Sequence, residues 1–133
     1  MTNFTKANKG FTLVEIMIVV SIIALLVSIA VPSFLRSRKR SQATKILNDA
    51  RILESSIDQW AIEESKTSSD SVTWSDVSDY VKNTTELFRS SGADLFSNSY
   101  TMSTVGSGVQ INQATYDNLS DAVTDEFWSS YKP

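Results

Sequence analysis

The stretch from Phe11 to Leu35, FTLVEIMIVVSIIALLVSIAVPSFL, holds 25 residues and a single ionisable side chain, Glu15. About 20 apolar residues, each adding about 1.5 Å of helix, suffice to cross the hydrocarbon core of a bilayer. The run therefore predicts a membrane-spanning helix. A fully buried core helix, the competing fate, needs more surrounding protein than a 133-residue chain supplies. An ordinary secretory signal places its small-residue cleavage site after the apolar run. No such site follows Leu35; the small residue is Gly10, directly ahead of Phe11. A cut there leaves the apolar helix on the product as its new N-terminus.

Two residues within the run demand a reason. A carboxylate inside hydrocarbon costs several kcal/mol and usually marks a function or a partner. Glu15 reads in two ways: as a first-turn acid favoured by the positive end of the helix dipole, or, after a cut at Gly10, as the fifth residue of a chain that begins with a charged amine. An ammonium one turn away, in the same chain or a neighbour, is then its natural partner. Pro32 lacks an amide hydrogen and crowds the preceding turn, which predicts a local kink or unwound stretch. Ser21, Ala24 and Ser28 place small residues at helical spacing, a weak signal for close helix contact.

Charge is distributed unevenly. Lys6 and Lys9 precede the run without any acid. Arg36, Arg38, Lys39, Arg40, Lys45 and Arg51 follow it, against Asp49 alone, and from Ile52 onward four basic residues face thirteen acids. With no His and no Cys, the commonest general base, the commonest metal ligand, thiol nucleophiles and disulfides are all excluded. A net charge of −3 argues against nucleic-acid binding, which needs a basic face. The reading is of a non-enzyme that requires no cofactor. The basic flank at 36–40 outweighs Lys6 and Lys9, which conflicts with a topology that keeps residues 1–10 in the cytoplasm. Pairing with acids such as Glu54 or Asp58 of a neighbouring subunit, or contact with lipid headgroups, are its alternative uses.

Beyond Pro32, Ala43, Ile46, Leu47, Ala50, Leu53, Ile57, Trp60 and Ala61 recur at three- and four-residue steps, one amphipathic stripe that predicts a continuing helix to about residue 65. From Phe11 such a helix is on the order of 80 Å long. Residues 65–72 read as a loop, 74–82 as a short helix with Ser75 as its cap, and 84–89 as another turn or two. Residues 100–105 and 109–112, joined by Gly106-Ser107-Gly108, read as a β-hairpin. Residues 114–122 read as helical, followed by Phe127, Trp128 and Tyr131, which seal the head against the long helix. The fold class is α+β: a long N-terminal transmembrane and spine helix carrying a small head of short helices and a hairpin. The divisions fall at 1–10, a removable leader; 11–35, the membrane segment; 36–65, its amphipathic continuation; and 66–133, the head.

The string Lys9-Gly10-Phe11-Thr12-Leu13-Val14-Glu15-Ile16 resembles the prepilin cleavage and methylation motif of bacterial type IV pilins and of the pseudopilins of type II secretion. The likeness covers Gly10, Phe11, Glu15, the apolar run and Pro32. It implies a pilin-like fold, cleavage between Gly10 and Phe11 by a prepilin peptidase, N-methylation of Phe11, and pairing of Glu15 with the Phe11 amine of an adjacent subunit. Pro32 matches the position at which the family helix kinks or melts. The implied function is that of a structural subunit, held in the bacterial inner membrane with its head outside the cytoplasm. An inner-membrane assembly platform then draws it into a helical homo-oligomer, a periplasmic or extracellular filament. The alternative is a monomeric signal-anchored envelope protein whose head binds a ligand. A second stretch, Asp94-Leu95-Phe96-Ser97-Asn98-Ser99-Tyr100, is similar to the D-P-W-G-N-P-Y stretch of major pseudopilins, matching at Asp94, Asn98 and Tyr100 and departing at Leu95, Ser97 and Ser99. Major pseudopilins typically hold a calcium ion in the C-terminal region; Asp117, Asp121, Asp125 and Glu126 supply oxygens there, but their spacing suits no calcium loop, and Asp117, Asp121 and Asp125 read as the solvated face of a helix.

Overall fold

A computed structural model describes residues 10–133; residues 1–9 of the expected leader, with Lys6 and Lys9, lie outside the described residues. The chain divides between Leu35 and Arg36 into two compact units. One helix, α1 (Leu13–Glu63), contributes to both and runs through Pro32 without an unwound stretch. In the first unit every described residue is exposed, so this half of α1 is not buried by any described residue. It is also the one described helix long and apolar enough to cross a membrane.

In the second unit α1 is the core element. Its buried residues are Ala43, Ile46, Leu47, Ala50, Leu53, Ser56, Ile57, Trp60 and Ala61. All eight positions of the predicted stripe are among them, with Ser56 added between Leu53 and Ile57. The Ser56 hydroxyl satisfies itself by donating to the Ile52 carbonyl at 2.8 Å, which lets a polar residue sit in an apolar seam. Against the stripe pack Val72, Val77, Val81, Leu87, Tyr100, Val109, Ile111, Leu119, Val123, Trp128 and Tyr131. The helix stops in a Schellman arrangement: the Lys66 amide donates to the Ala61 carbonyl at 2.8 Å and Ser65, at φ 52°, occupies the left-handed position.

Four short helices follow: α2 (Trp74–Val77), α3 (Glu86–Arg89), α4 (Gln113–Leu119) and α5 (Asp125–Trp128), with single 3₁₀ turns after α2 and α5. The cap of α2 is Thr73 and not Ser75, because the Asp76 carboxylate accepts from the Thr73 amide at 2.9 Å and from its hydroxyl, closing a capping box two residues earlier than expected. The hairpin is shorter than predicted. Thr101–Met102 (β1) pairs antiparallel with Val109–Gln110 (β2) in the register Thr101↔Gln110 and Met102↔Val109, and the connection opens to six residues. Its first half is claimed by the segment read as a free loop: the Val72 amide donates to Ser103, Val105 to Asp70 and Gly106 to Ser68 at 3.0–3.2 Å. The C-terminal turn closes on the other side, where the Ile111 amide donates to the Tyr131 carbonyl at 2.9 Å.

Three tyrosines fasten the head to α1 at intervals along its length. Tyr100 donates to the Ile46 carbonyl at 3.1 Å, Tyr131 to the Glu54 carboxylate, and Tyr80 to Glu63 at 2.6 Å. The expected sealing role of the C-terminal aromatics is met by Trp128, which is fully buried, and by Tyr131.

Candidate processing and assembly site

The N-terminal end of α1 gathers the residues singled out by the sequence. Gly10 is exposed, with nothing within 4 Å of the space a side chain would occupy. Phe11 follows at 85% exposure. Both residues flanking that peptide are therefore exposed. Glu15 is held by a residue the sequence reading passed over. Its Oε2 accepts from the Thr12 amide at 2.8 Å, while the Glu15 amide donates to the Thr12 hydroxyl at 3.2 Å. These reciprocal bonds form a capping box with Thr12 at the cap position and Glu15 three residues on. The T-x-x-E spacing was the available signal. Two of the first-turn amides and carboxylate lone pairs that would otherwise meet hydrocarbon are satisfied locally, which lowers the cost of an acid at the start of an apolar helix.

Further along, the Ser21 hydroxyl donates to the Met17 carbonyl and the Ser28 hydroxyl to Leu25, both at 2.7 Å. The small-residue row therefore presents no free hydroxyls. Pro32 leaves the Ser28 carbonyl without its usual amide donor while the helix continues past it.

In the head, the stretch from Asp94 to Tyr100 forms a second ordered constellation. Asp94 is buried at 6% exposure. Its Oδ1 accepts from the Phe96 amide at 2.8 Å and the Asn98 amide at 3.0 Å, and its Oδ2 accepts from the Thr115 hydroxyl. Asn98 Nδ2 donates to Thr115 Oγ1 at 2.9 Å. Asp94 thus folds its own turn and ties it to α4. Thr115, fully buried, carries no sequence signature, since its partners lie 17 and 21 residues away. Ser97 adopts φ 63°, so the departure from glycine falls where the backbone is left-handed. Tyr100, at the end of the same stretch, has its phenol pushed well above the ordinary tyrosine range by burial, with Asp49 and Asp94 adding to the effect.

The acids expected to share one helical face do not. Asp117 lies in α4 and accepts from Gln113 at 2.8 Å; Asp121 lies in the following turn and binds Lys39 at 2.8 and 2.9 Å; Asp125 opens α5 and accepts from Tyr116 and Lys132. A hydrogen bond from Lys39 holds the Asp121 carboxyl below the usual range, and one from Tyr116 does the same for Asp125. Among the described residues no three acids converge.

The family profile described as the prokaryotic N-terminal methylation motif matches residues 5–31. Type II secretion system core protein G of Klebsiella michiganensis is 33% identical over 61 residues, covering 46% of this chain and 43% of that protein. The type IV major pilin protein PilA of Myxococcus xanthus is 40% identical over 53 residues, 40% of this chain and 24% of its own length. The type IV major fimbrial protein FimA of Dichelobacter nodosus is 28% identical over 121 residues, 90% of this chain and 71% of that one. The first two matches span less than half of either protein. No solved structure matches the chain significantly. These relatives are pilins and a secretion-system core protein and not enzymes. The methylation motif, the long apolar helix and the small α+β head agree with them and support placing the chain with the type IV pilins and pseudopilins it resembles.

Proposed function

We propose that this chain is a structural subunit of a type IV pilus or a type II secretion pseudopilus, polymerised through the exposed half of α1. The observation that carries the reading is a division within one helix. From Leu13 to Leu35 every side chain is exposed, whereas from Ala43 to Ala61 one face builds the core of the head. A helix with one half packed and the other largely apolar and bare requires a second environment, lipid before assembly and the helices of other subunits after it.

In this reading a prepilin peptidase cuts the Gly10–Phe11 peptide and Phe11 is N-methylated. The new amine lies one residue before Thr12, beside the Glu15 capping box. The Glu15 carboxylate keeps lone pairs beyond the one that Thr12 engages. The amine of an adjacent subunit fills them during assembly, neutralising both charges in the filament core and fixing register. Pro32, where one carbonyl already lacks a donor, is the place at which the helix yields on packing. The subunit waits in the bacterial inner membrane with its head outside the cytoplasm, and an inner-membrane assembly platform extracts it.

Mass spectrometry of protein from native membranes and from sheared filaments tests this. A chain beginning at N-methylated Phe11 is expected. A chain retaining its first ten residues in cells with active prepilin peptidase would instead indicate a signal-anchored monomer whose head binds a ligand.

A further inference from the structure

Four cations occupy five consecutive positions immediately after the apolar segment: Arg36, Arg38, Lys39 and Arg40. At 3.6 residues per turn they project at roughly 0°, 200°, 300° and 40° about the α1 axis, a ring and not a stripe. A protein neighbour would be met by one side of a helix; a layer that surrounds the helix is met by a ring. Lys39 is the exception in its surroundings. It is half-buried and turned into the head, where it pairs with Asp121 at 2.8 and 2.9 Å. That pair neutralises Asp121. Arg36, Arg38 and Arg40 are exposed and have no carboxylate within ion-pair distance among the described residues. All three are guanidinium groups, whose planar fork binds phosphate oxygens in pairs.

We infer that Arg36, Arg38 and Arg40 form a collar that binds the phosphate groups of anionic phospholipids around the membrane-held subunit, with Lys39 diverted to cancel Asp121. The inference rests on the spanning role given above to residues 11–35 and adds a lipid partner to it. Each basic side chain at an anionic surface changes partitioning about fivefold. The collar therefore anchors the stored subunit at a fixed depth and has to be stripped of lipid when the subunit enters a filament.

The test reconstitutes the full chain into phosphatidylcholine vesicles and measures, by electron spin resonance, how strongly spin-labelled phosphatidylglycerol is preferred over spin-labelled phosphatidylcholine at the protein surface. The wild type is expected to prefer phosphatidylglycerol roughly threefold or more, and R36Q/R38Q/R40Q to lose most of that preference. Salt at 1 M is expected to erase the wild-type preference, because its screening length is about 3 Å. A triple variant with wild-type lipid preference overturns the collar, all the more so if it fails to form filaments, which would assign the arginines to a neighbouring subunit's acids. A wild-type chain stripped from vesicles by alkaline carbonate overturns the spanning role and the collar together. Integral insertion with no lipid preference overturns the collar alone.

Discussion

Asp94 offers a quantitative check on how the head holds together without a disulfide. Replacing it by alanine removes the acceptor for two backbone amides, Phe96 and Asn98, and for the Thr115 hydroxyl. A buried donor left without a partner costs about 1–3 kcal/mol. Leu95, Ser97 and Ser99 are exposed, so water can reach the two turn amides and their loss falls at the low end. Thr115 is fully buried and cannot be rescued in that way. The total expected for D94A is about 3 kcal/mol, after crediting the variant with no longer desolvating a carboxylate. D94N keeps one acceptor oxygen and is expected to cost about half as much. T115V removes one donor, and the D94A/T115V double variant is expected to be less destabilised than the sum of the two by about 1 kcal/mol or more. Urea unfolding of the full chain in detergent, followed by tryptophan fluorescence, reads all four proteins. A D94A loss below about 0.5 kcal/mol, or strict additivity with T115V, would refute the reasoning.

Other consequences are equally accessible. E15A should be cleaved after Gly10 much as the wild type but assemble poorly; normal filaments from that variant, seen by shearing and immunoblotting, would remove the register role of Glu15. L53A deletes a fully buried side chain from the α1 stripe and should cost about 2–5 kcal/mol in the same urea assay. Tyr80, hydrogen-bonded to Glu63, should titrate near about 12 by ultraviolet absorbance, and E63Q should return it toward the ordinary value near 10. For Asp121, whose folded carboxyl is depressed by Lys39, the stabilising effect is present above the ordinary carboxyl range and fades as pH falls through the lower folded value. K39Q should abolish that fraction of the acid dependence, and D121N should add nothing further to K39Q in an acid-unfolding titration.

Legibility from the sequence followed the range of the interactions. The α1 stripe was readable in full because a helix repeats its buried face every three or four residues, and the apolar run and Gly10–Glu15 string announced themselves by composition and order. Ser56 escaped because its hydroxyl bonds back to Ile52, which makes a serine behave as a core residue. Helix starts were off by a residue or two where two hydroxyl residues competed, as with Thr73 and Ser75; the deciding partner was Asp76. The hairpin shrank because its outer residues bond residues 68–72, a pairing with no periodic trace. The same holds for Tyr100 on Ile46, Tyr131 on Glu54 and Lys39 on Asp121, separated by 54, 77 and 82 residues. At the N-terminal site Gly10, Phe11 and Glu15 were legible as a motif, while Thr12, which closes the capping box, was present in the spacing and passed over.

Among the described residues the left-handed positions outside glycine are four, and all of them are serine: Ser65, Ser91, Ser97 and Ser129. Trp128, whose backbone adjoins the last of these, carries an indole N–H that is buried without a hydrogen-bond partner among the described residues. Trp60 by contrast lies under the Lys66 ammonium at 5.3 Å, and Trp74 is partly exposed beside Phe88. The second unit therefore contains three tryptophans in three electronic surroundings: one dry and unbonded, one under a cation, one near water. Each gives its own optical and vibrational signature, so a sheared filament could report, without any label, which face of the head is disturbed when subunits come together.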